Sequence, residues 1–381
     1  MNRRLADALG GLLFAGILTC WAPGYWPVAL VQAGAFLLLA RLLVEGCPVH
    51  TDFVALPVIG LVVWGSWQLV SGMTVYGFET SKALLYWAAN AAVFVVAREA
   101  CDSTYTRNRF LRGILWFSAA VGLLTVVQYF TSAGRVFWIF PTQEARVLGP
   151  FLYKNQCAAF IELVFPLAVY QALVDRRHSL VYVTVAATMF AVVIAAVSRA
   201  GVALVTAELT VMLFLAWRRG LMPAVNLRKT VLSMAALSIV LAAVVGWQVT
   251  LEKFREPEPY RVRRELLISS LAMMADRPFT GFGLGTWPVV YPAYARFDNG
   301  LMANHAHNDW AEWTAEGGLP FLALAAMIAI WSVAPASESL WGLGVPAIFA
   351  HDLVDYPLRE PALAALLFAM LGALAARARG D

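Results

Sequence analysis

Charge is what this chain has least of. Asp, Glu, Lys and Arg make up 14% of its 381 residues, against roughly a quarter in a soluble domain. Apolar residues take 61%, and the mean hydropathy is +0.69. So much apolar surface cannot be hidden inside one soluble core, and many of its runs reach the roughly 20 residues of a bilayer crossing. The net charge is only +4, and the cations form no single polar stripe, which speaks against nucleic acid as a partner. The four cysteines, Cys20, Cys47, Cys101 and Cys157, stand singly without a CxxC pair, so neither a zinc ribbon nor a thiol redox motif is expected. Asp-x-Asp is missing altogether, which argues against the magnesium-bound diphosphate that many transferases use. No internal repeat or low-complexity segment is visible. Leu18-Thr19-Cys20 is a weak echo of a lipoprotein cleavage site, but Thr19 stands where a small residue is wanted. The start of the chain therefore reads as a first span, not a cleaved leader.

What is present is a series of apolar windows. They fall at 5–21, 25–44, 53–72, 79–97, 110–130, 151–174, 180–197, 201–217, 231–249, 319–333, 340–349 continuing past His351, and 362–376. The expectation is an all-α polytopic membrane protein of about twelve transmembrane helices, forming a single integral membrane domain over 1–381. The eleventh window is the weakest, being short and interrupted by Pro346. Every second junction is basic: Arg3 and Arg4, Arg41, Arg98 to Arg112, Arg176 and Arg177, Arg218 to Lys229, and Arg377 with Arg379. The positive-inside rule then puts both termini in the cytoplasm. The opposite side holds residues 131–150 and a far longer loop, 250–318. A loop of that length is usually functional. Within it, 263–275 reads as an amphipathic helix against the membrane and 308–316 as a short helix leading into the tenth span.

The unusual polar residues gather on that outer side. Arg146 and Lys154 flank Gly149-Pro150, and Arg199 sits in the tight Ser198–Gly201 turn between two apolar helices. An arginine near membrane depth costs about 2.5–3.5 kcal/mol on insertion scales. It either snorkels to lipid phosphates or serves an anion site, and guanidinium groups converging on one face suit a diphosphate. His305-Ala306-His307-Asn308-Asp309 lies late in the loop, followed by Glu316. His351-Asp352 and Asp355 end the eleventh span. A metal set of both histidines with Asp309, His351 or Asp352 is the weaker reading, because His-x-His alone says little. The run Gly281-Phe282-Gly283-Leu284-Gly285-Thr286 lacks the third glycine and the preceding strand of a nucleotide loop, so it reads as a close-packed turn.

In these residues the chain resembles the O-antigen ligase/polymerase superfamily of the Wzy_C type. The matching pieces are Gly149-Pro150-Phe151 to Asn155, Ser198-Arg199-Ala200-Gly201, Arg263 to Leu267 in an Arg-x3-Leu spacing, Asp276 to Gly285, His305 through Gly318, and His351 to Leu358. His307 and Gly318 keep the family's His-x10-Gly spacing. The first five spans match only in hydropathy. The resemblance implies a GT-C-like helical membrane fold with no required metal or cofactor. It implies a glycan donor on undecaprenyl diphosphate, with transfer to an acceptor hydroxyl at the periplasmic face of the bacterial inner membrane, among membrane lipids. The acceptor is lipid A-core in a ligase and a second lipid-linked glycan in a repeat-unit polymerase. The arginine region, Arg261-Val262-Arg263-Arg264, leaves open which arginine takes the family role.

The residue types suit such chemistry. A sugar diphosphate has a good leaving group, so cations at the departing charge matter more than a strong acid. Arg199, Arg263, Arg146 and Lys154 are the candidates. The acceptor hydroxyl needs a base, and histidine is the usual choice near neutral pH. His307 is preferred over His305 for its spacing to Gly318 and its place before a helix N-terminus, which disfavours the protonated ring. Asp309, Glu312 or Asp352 is expected to orient it. Direct displacement inverts the anomeric centre. A transporter or lipid flippase is the rival class, but it more often carries repeated halves and charges at the bilayer midplane.

Overall fold

The computed structural model describes residues 2–46, 49–143, 146–221, 236, 239, 243, 261–296, 300 and 302–377. In chain order the helices are α1 (Asn2–Thr19), α2 (Trp26–Val44), α3 (Ala55–Val70), α4 (Gly77–Ala100), α5 (Thr104–Thr131), α6 (Lys154–Val174), α7 (Ser179–Ala195) and α8 (Arg199–Arg218). They continue as α9 (Arg261–Asp276), α10 (Trp287–Val290), α11 (Asp309–Glu338), α12 (Gly344–His351) and α13 (Pro361–Arg377). A small antiparallel hairpin pairs Arg135–Val136 with Phe140–Pro141. All but residues 236, 239 and 243 of the expected ninth span, the charged start of the long loop at 250–260, and Arg228, Lys229 and Arg379 lie outside the described residues.

Six described helices, α2, α4, α5, α6, α8 and α11, are long and apolar enough to cross a membrane, and shorter apolar helices cover Ala55–Val70, Ser179–Ala195, Leu340–His351 and Pro361–Ala376. The first expected span is diluted by Arg3, Arg4 and Asp7 within the 18 residues of α1. Large apolar side chains face outward, with Leu37 71%, Leu123 60% and Ile330 73% exposed. In water such surfaces would drive aggregation; against hydrocarbon they are the solvent face. The chain is a polytopic, mostly helical membrane protein.

The interior is built around α6 and α13. From Cys157 to Val169 every α6 side chain is buried, enclosed by α7, α8 and α12. Along α13, Ala364, Ala365, Ala369 and Ala373 are fully buried, and their small size lets the helix lie close along α4. Several junction cations do structural duty. Buried Arg98 pairs with Asp52 at 2.5 Å and Glu99 at 2.6 Å, and Arg109 pairs with Asp7 at 2.8 Å. Arg219 donates to the Ser337 and Glu338 carbonyls at the end of α11, where the helix dipole is negative.

The described part of the long loop is folded. The amphipathic helix expected at 263–275 is α9, and it packs on α11. Leu266, Met273, Phe282, Trp287, Tyr291, Ala306 and Ala315 form a second, smaller core. It is pinned by hydrogen bonds from Trp287 Nε1 to Ser270 Oγ and from Ser269 Oγ to the Tyr294 carbonyl, both 2.9 Å.

Candidate active site

The site is assembled where α11 begins. Asn308 caps the helix, its side-chain oxygen accepting from the Ala311 N–H at 2.9 Å, while its Nδ2 donates to the Leu353 carbonyl at 2.7 Å. The Asp309 N–H donates to the Asp352 carbonyl at 2.9 Å and the Asp355 carbonyl at 3.2 Å. These bonds zip the histidine motif to the segment after α12. The short helix expected at 308–316 is the first part of α11, which bends at Gly318 (φ 70°, ψ −174°). A Cβ there would lie 2.5 Å from the Phe279 carbonyl oxygen, and one at Gly281 (φ 62°) 2.2 Å from that of Glu316. The glycine run is therefore a close-packed turn, as the sequence implied. Phe282 N–H donates to the Ala315 carbonyl and Gly283 N–H to that of Glu316, at 3.0 and 2.9 Å.

Three cations from three helices meet beside this junction. Lys154 is the first residue of α6, Arg199 the first of α8, and Arg263 lies in the first turn of α9. With Asn155, Ser198 and Asp355 they line a cavity of about 70 Å³. Two helix N-termini thus accompany three cations, and both favour an anion. Ser198 caps α8 by accepting from the Gly201 N–H at 3.2 Å. The preceding Val197 has φ +52°, a conformation strained for a β-branched residue. Of Arg261, Arg263 and Arg264, only Arg263 lines this cavity. Arg264 is 3.5 Å from Glu265 and well exposed. Arg146 is not brought to the cavity: its guanidinium lies against Tyr129, 5.1 Å from the ring centroid.

Asp355 is the hub. Its side chain is 2% exposed and meets Arg263 at 3.0 Å. It accepts from Tyr153 at 3.3 Å, from the Tyr356 N–H at 2.9 Å, and from Asn155 Nδ2. His307 Nδ1 faces it at 3.6 Å, beyond hydrogen-bond length but within reach of a small rotation. Burial acts to raise the Asp355 carboxyl, but His307 and the Arg263 guanidinium outweigh burial and hold it below its ordinary range. His307 itself has φ +52°. The acid expected to orient it was Asp309, Glu312 or Asp352. The acid that faces its ring is instead Asp355, because the chain turns back after α12 and presents it there.

The other acids serve a second cluster. Arg359 reaches Asp309 at 3.1 Å, Glu312 at 3.0 Å and Glu316 at 3.2 Å. Glu312 also receives His305 Nδ1 at 3.0 Å and the Ala306 N–H at 2.8 Å. Leu358 N–H donates to Asp309 and Trp287 N–H to Glu316, at 3.2 and 3.1 Å. His351 is fully buried and pairs at 2.9 Å with Glu162 of α6. Asp352 is buried too. Sequence reasoning passed over Glu162 and Glu208, acids buried inside apolar helices, although a charge within an apolar window is itself a signal. Among the described residues no trio of His, Cys, Asp or Glu is grouped as a metal set.

Tyr356 stands between the two clusters. Its ring lies 4.6 Å from His305 and 4.8 Å from His307, and it stacks on Tyr153 at 5.2 Å. Burial pushes its hydroxyl up to about 12, so it stays a phenol. On the far side of the histidines a cleft of about 770 Å³ opens, walled by α9 and the segment after α10 and lined by His305, His307, Tyr356, Tyr291 and Leu266. One arrangement thus brings together a small cavity lined by three cations, two imidazoles and a cleft large enough for a sugar-sized ligand.

No curated protein matches the chain. One family model does, described as O-antigen ligase (Wzy_C), over residues 184–326. That stretch runs from within α7, through Arg199, Arg263 and both histidines, to just past the bend in α11. Over this stretch, somewhat more than a third of its length, the chain is similar to the O-antigen ligase (Wzy_C) family.

Proposed function

We propose that the protein transfers a glycan from undecaprenyl diphosphate to an acceptor hydroxyl, in the manner of an O-antigen ligase, at the periplasmic face of the bacterial inner membrane. A repeat-unit polymerase would use the same site with a second lipid-linked glycan in place of lipid A-core. The observation that carries the proposal is the convergence of Lys154, Arg199 and Arg263 on one cavity that Asp355, the one acid among its described lining residues, shares with them while facing His307. The donor diphosphate lies against the three cations and the N-termini of α6 and α8. The acceptor oxygen attacks the anomeric carbon while the bond from that carbon to the diphosphate oxygen breaks. Its electron pair leaves with the polyprenyl diphosphate, whose growing charge the preorganised cations stabilise. His307 takes the acceptor proton, and the imidazolium it becomes is drawn onto Asp355. The attack inverts the anomeric centre, and no metal enters any step.

The test is His307→Ala in purified, lipid-reconstituted protein. Glycan transfer should fall by about two to four orders of magnitude, while binding of undecaprenyl diphosphate and the melting temperature stay close to wild type. Transfer at near the wild-type rate, or a loss traced to unfolding, would remove His307 from this role.

A further inference from the structure

The two histidines are held differently. His305 Nδ1 is bonded at 3.0 Å to Glu312, a carboxylate that also receives the Ala306 N–H and the Arg359 guanidinium. Three donors fix that carboxylate, so the proton of a neutral His305 sits on Nδ1, and Nε2 is left as an acceptor for the cleft that His305 lines. His307 Nδ1, by contrast, is buried without a hydrogen bond, 3.6 Å from Asp355. A group that must gain and lose a proton profits from a contact that closes on protonation. A group that must hold a ligand profits from one already closed. Tyr356 packs against both imidazoles and keeps them side by side on the cleft wall.

We infer that His305 orients the acceptor. Its Nε2 accepts a hydrogen bond from the hydroxyl adjacent to the one that His307 deprotonates. The acceptor unit is therefore a sugar that presents two neighbouring hydroxyls to the cleft, and His305 decides which of them reacts. Glu312 and Arg359 are positioning residues that act through His305. This inference rests on the glycan-transfer reading above.

The experiment varies the acceptor at saturating lipid-linked donor, with lipid A-core and the lipid-linked repeat unit extracted from the source cell as the two probes. His305→Asn keeps an amide for Glu312 but is too short to reach the cleft. His305→Gln restores reach with an oxygen that accepts the same bond. His305→Asn should raise the acceptor KM about tenfold, the size of one lost hydrogen bond, with a smaller fall in kcat and no change in donor KM. Its products should carry mixed linkages on methylation analysis. His305→Gln should recover part of the affinity and most of the single linkage. A hundredfold loss of kcat at unchanged acceptor KM, with one linkage kept, would overturn the inference and make His305 the base. Unchanged kinetics and linkage in His305→Asn would overturn it as well. If the wild-type protein transfers glycan to neither acceptor, the transfer reading itself fails and takes this inference with it.

Discussion

The clusters on either side of Tyr356 are near mirror images in charge. Around Arg359 one cation gathers three carboxylates, Asp309, Glu312 and Glu316. Around Asp355 one carboxylate is set among three cations, Lys154, Arg199 and Arg263. The two sides are placed differently. The acids are buried and satisfied from within, by the N–H groups of Ala306, Leu358 and Trp287 and by His305. The cations line a cavity. Buried charge enclosed by backbone donors organises a fold; charge at a cavity wall can meet a ligand.

If that contrast is right, mutations on the two sides must separate folding from binding. The largest effect on the fold is expected from Arg359→Ala, which strips the shared cation from three buried carboxylates. Removing one partner of a buried pair typically costs about 3–5 kcal/mol, so the variant should lose its cooperative melt in detergent, with Arg359→Lys recovering part of it. A melting temperature within about 2 °C of wild type would mean the acids do not depend on Arg359. On the ligand side, Arg199→Lys should lower affinity for undecaprenyl diphosphate about tenfold, because lysine cannot make the two-pronged contact, with the melt unchanged. Equal affinity in titration calorimetry would take Arg199 out of the anion site. The smallest effect is expected at Asp355. Its carboxyl is held below the ordinary 3.8, so its contribution to stability is complete above that value and is lost as pH falls through the lower folded value. Asp355→Asn should flatten this acid-side loss in melts taken between about pH 2 and 5, and an unaltered acid limb would show that Asp355 carries no such linkage.

Much of this was legible in the sequence, and the limits have physical causes. Hydropathy located the helices because lipid-facing and core-facing side chains are alike apolar. Asn308 announces a helix start because capping is a local, one-turn interaction, whereas the Ser198–Gly201 stretch, read as a turn, is already the cap and first turn of α8. Lys154, Arg199 and Arg263 stood out as cations on a face where charge bias disfavours them. Arg146 stood out for the same reason, yet it lies on Tyr129; charge statistics give a side of the membrane, not a partner. The same limit applies to Arg98, counted as a basic junction but buried between Asp52 and Glu99. The choice of Asp355 over Asp352 depends on contacts such as Asn155 to Asp355, 200 positions apart, which no local pattern encodes. The sequence also carries a helical signal here: Asp309, Glu312 and Glu316 recur at helical spacing on one face of α11, and three acids on one buried face call for a cation.

The bend at Gly318 has a mechanical consequence. A left-handed glycine within a long helix suggests a hinge, but here the joint is clamped. Leu319 N–H is bonded to the Pro278 carbonyl at 2.7 Å, and the Phe279 backbone fills the space a side chain would take. The first turns of α11, the glycine turn and α9 are coupled through this joint and the small core beneath it. A membrane that thickens or thins can tilt the span below the elbow, while the histidines above it move only as part of the whole cap.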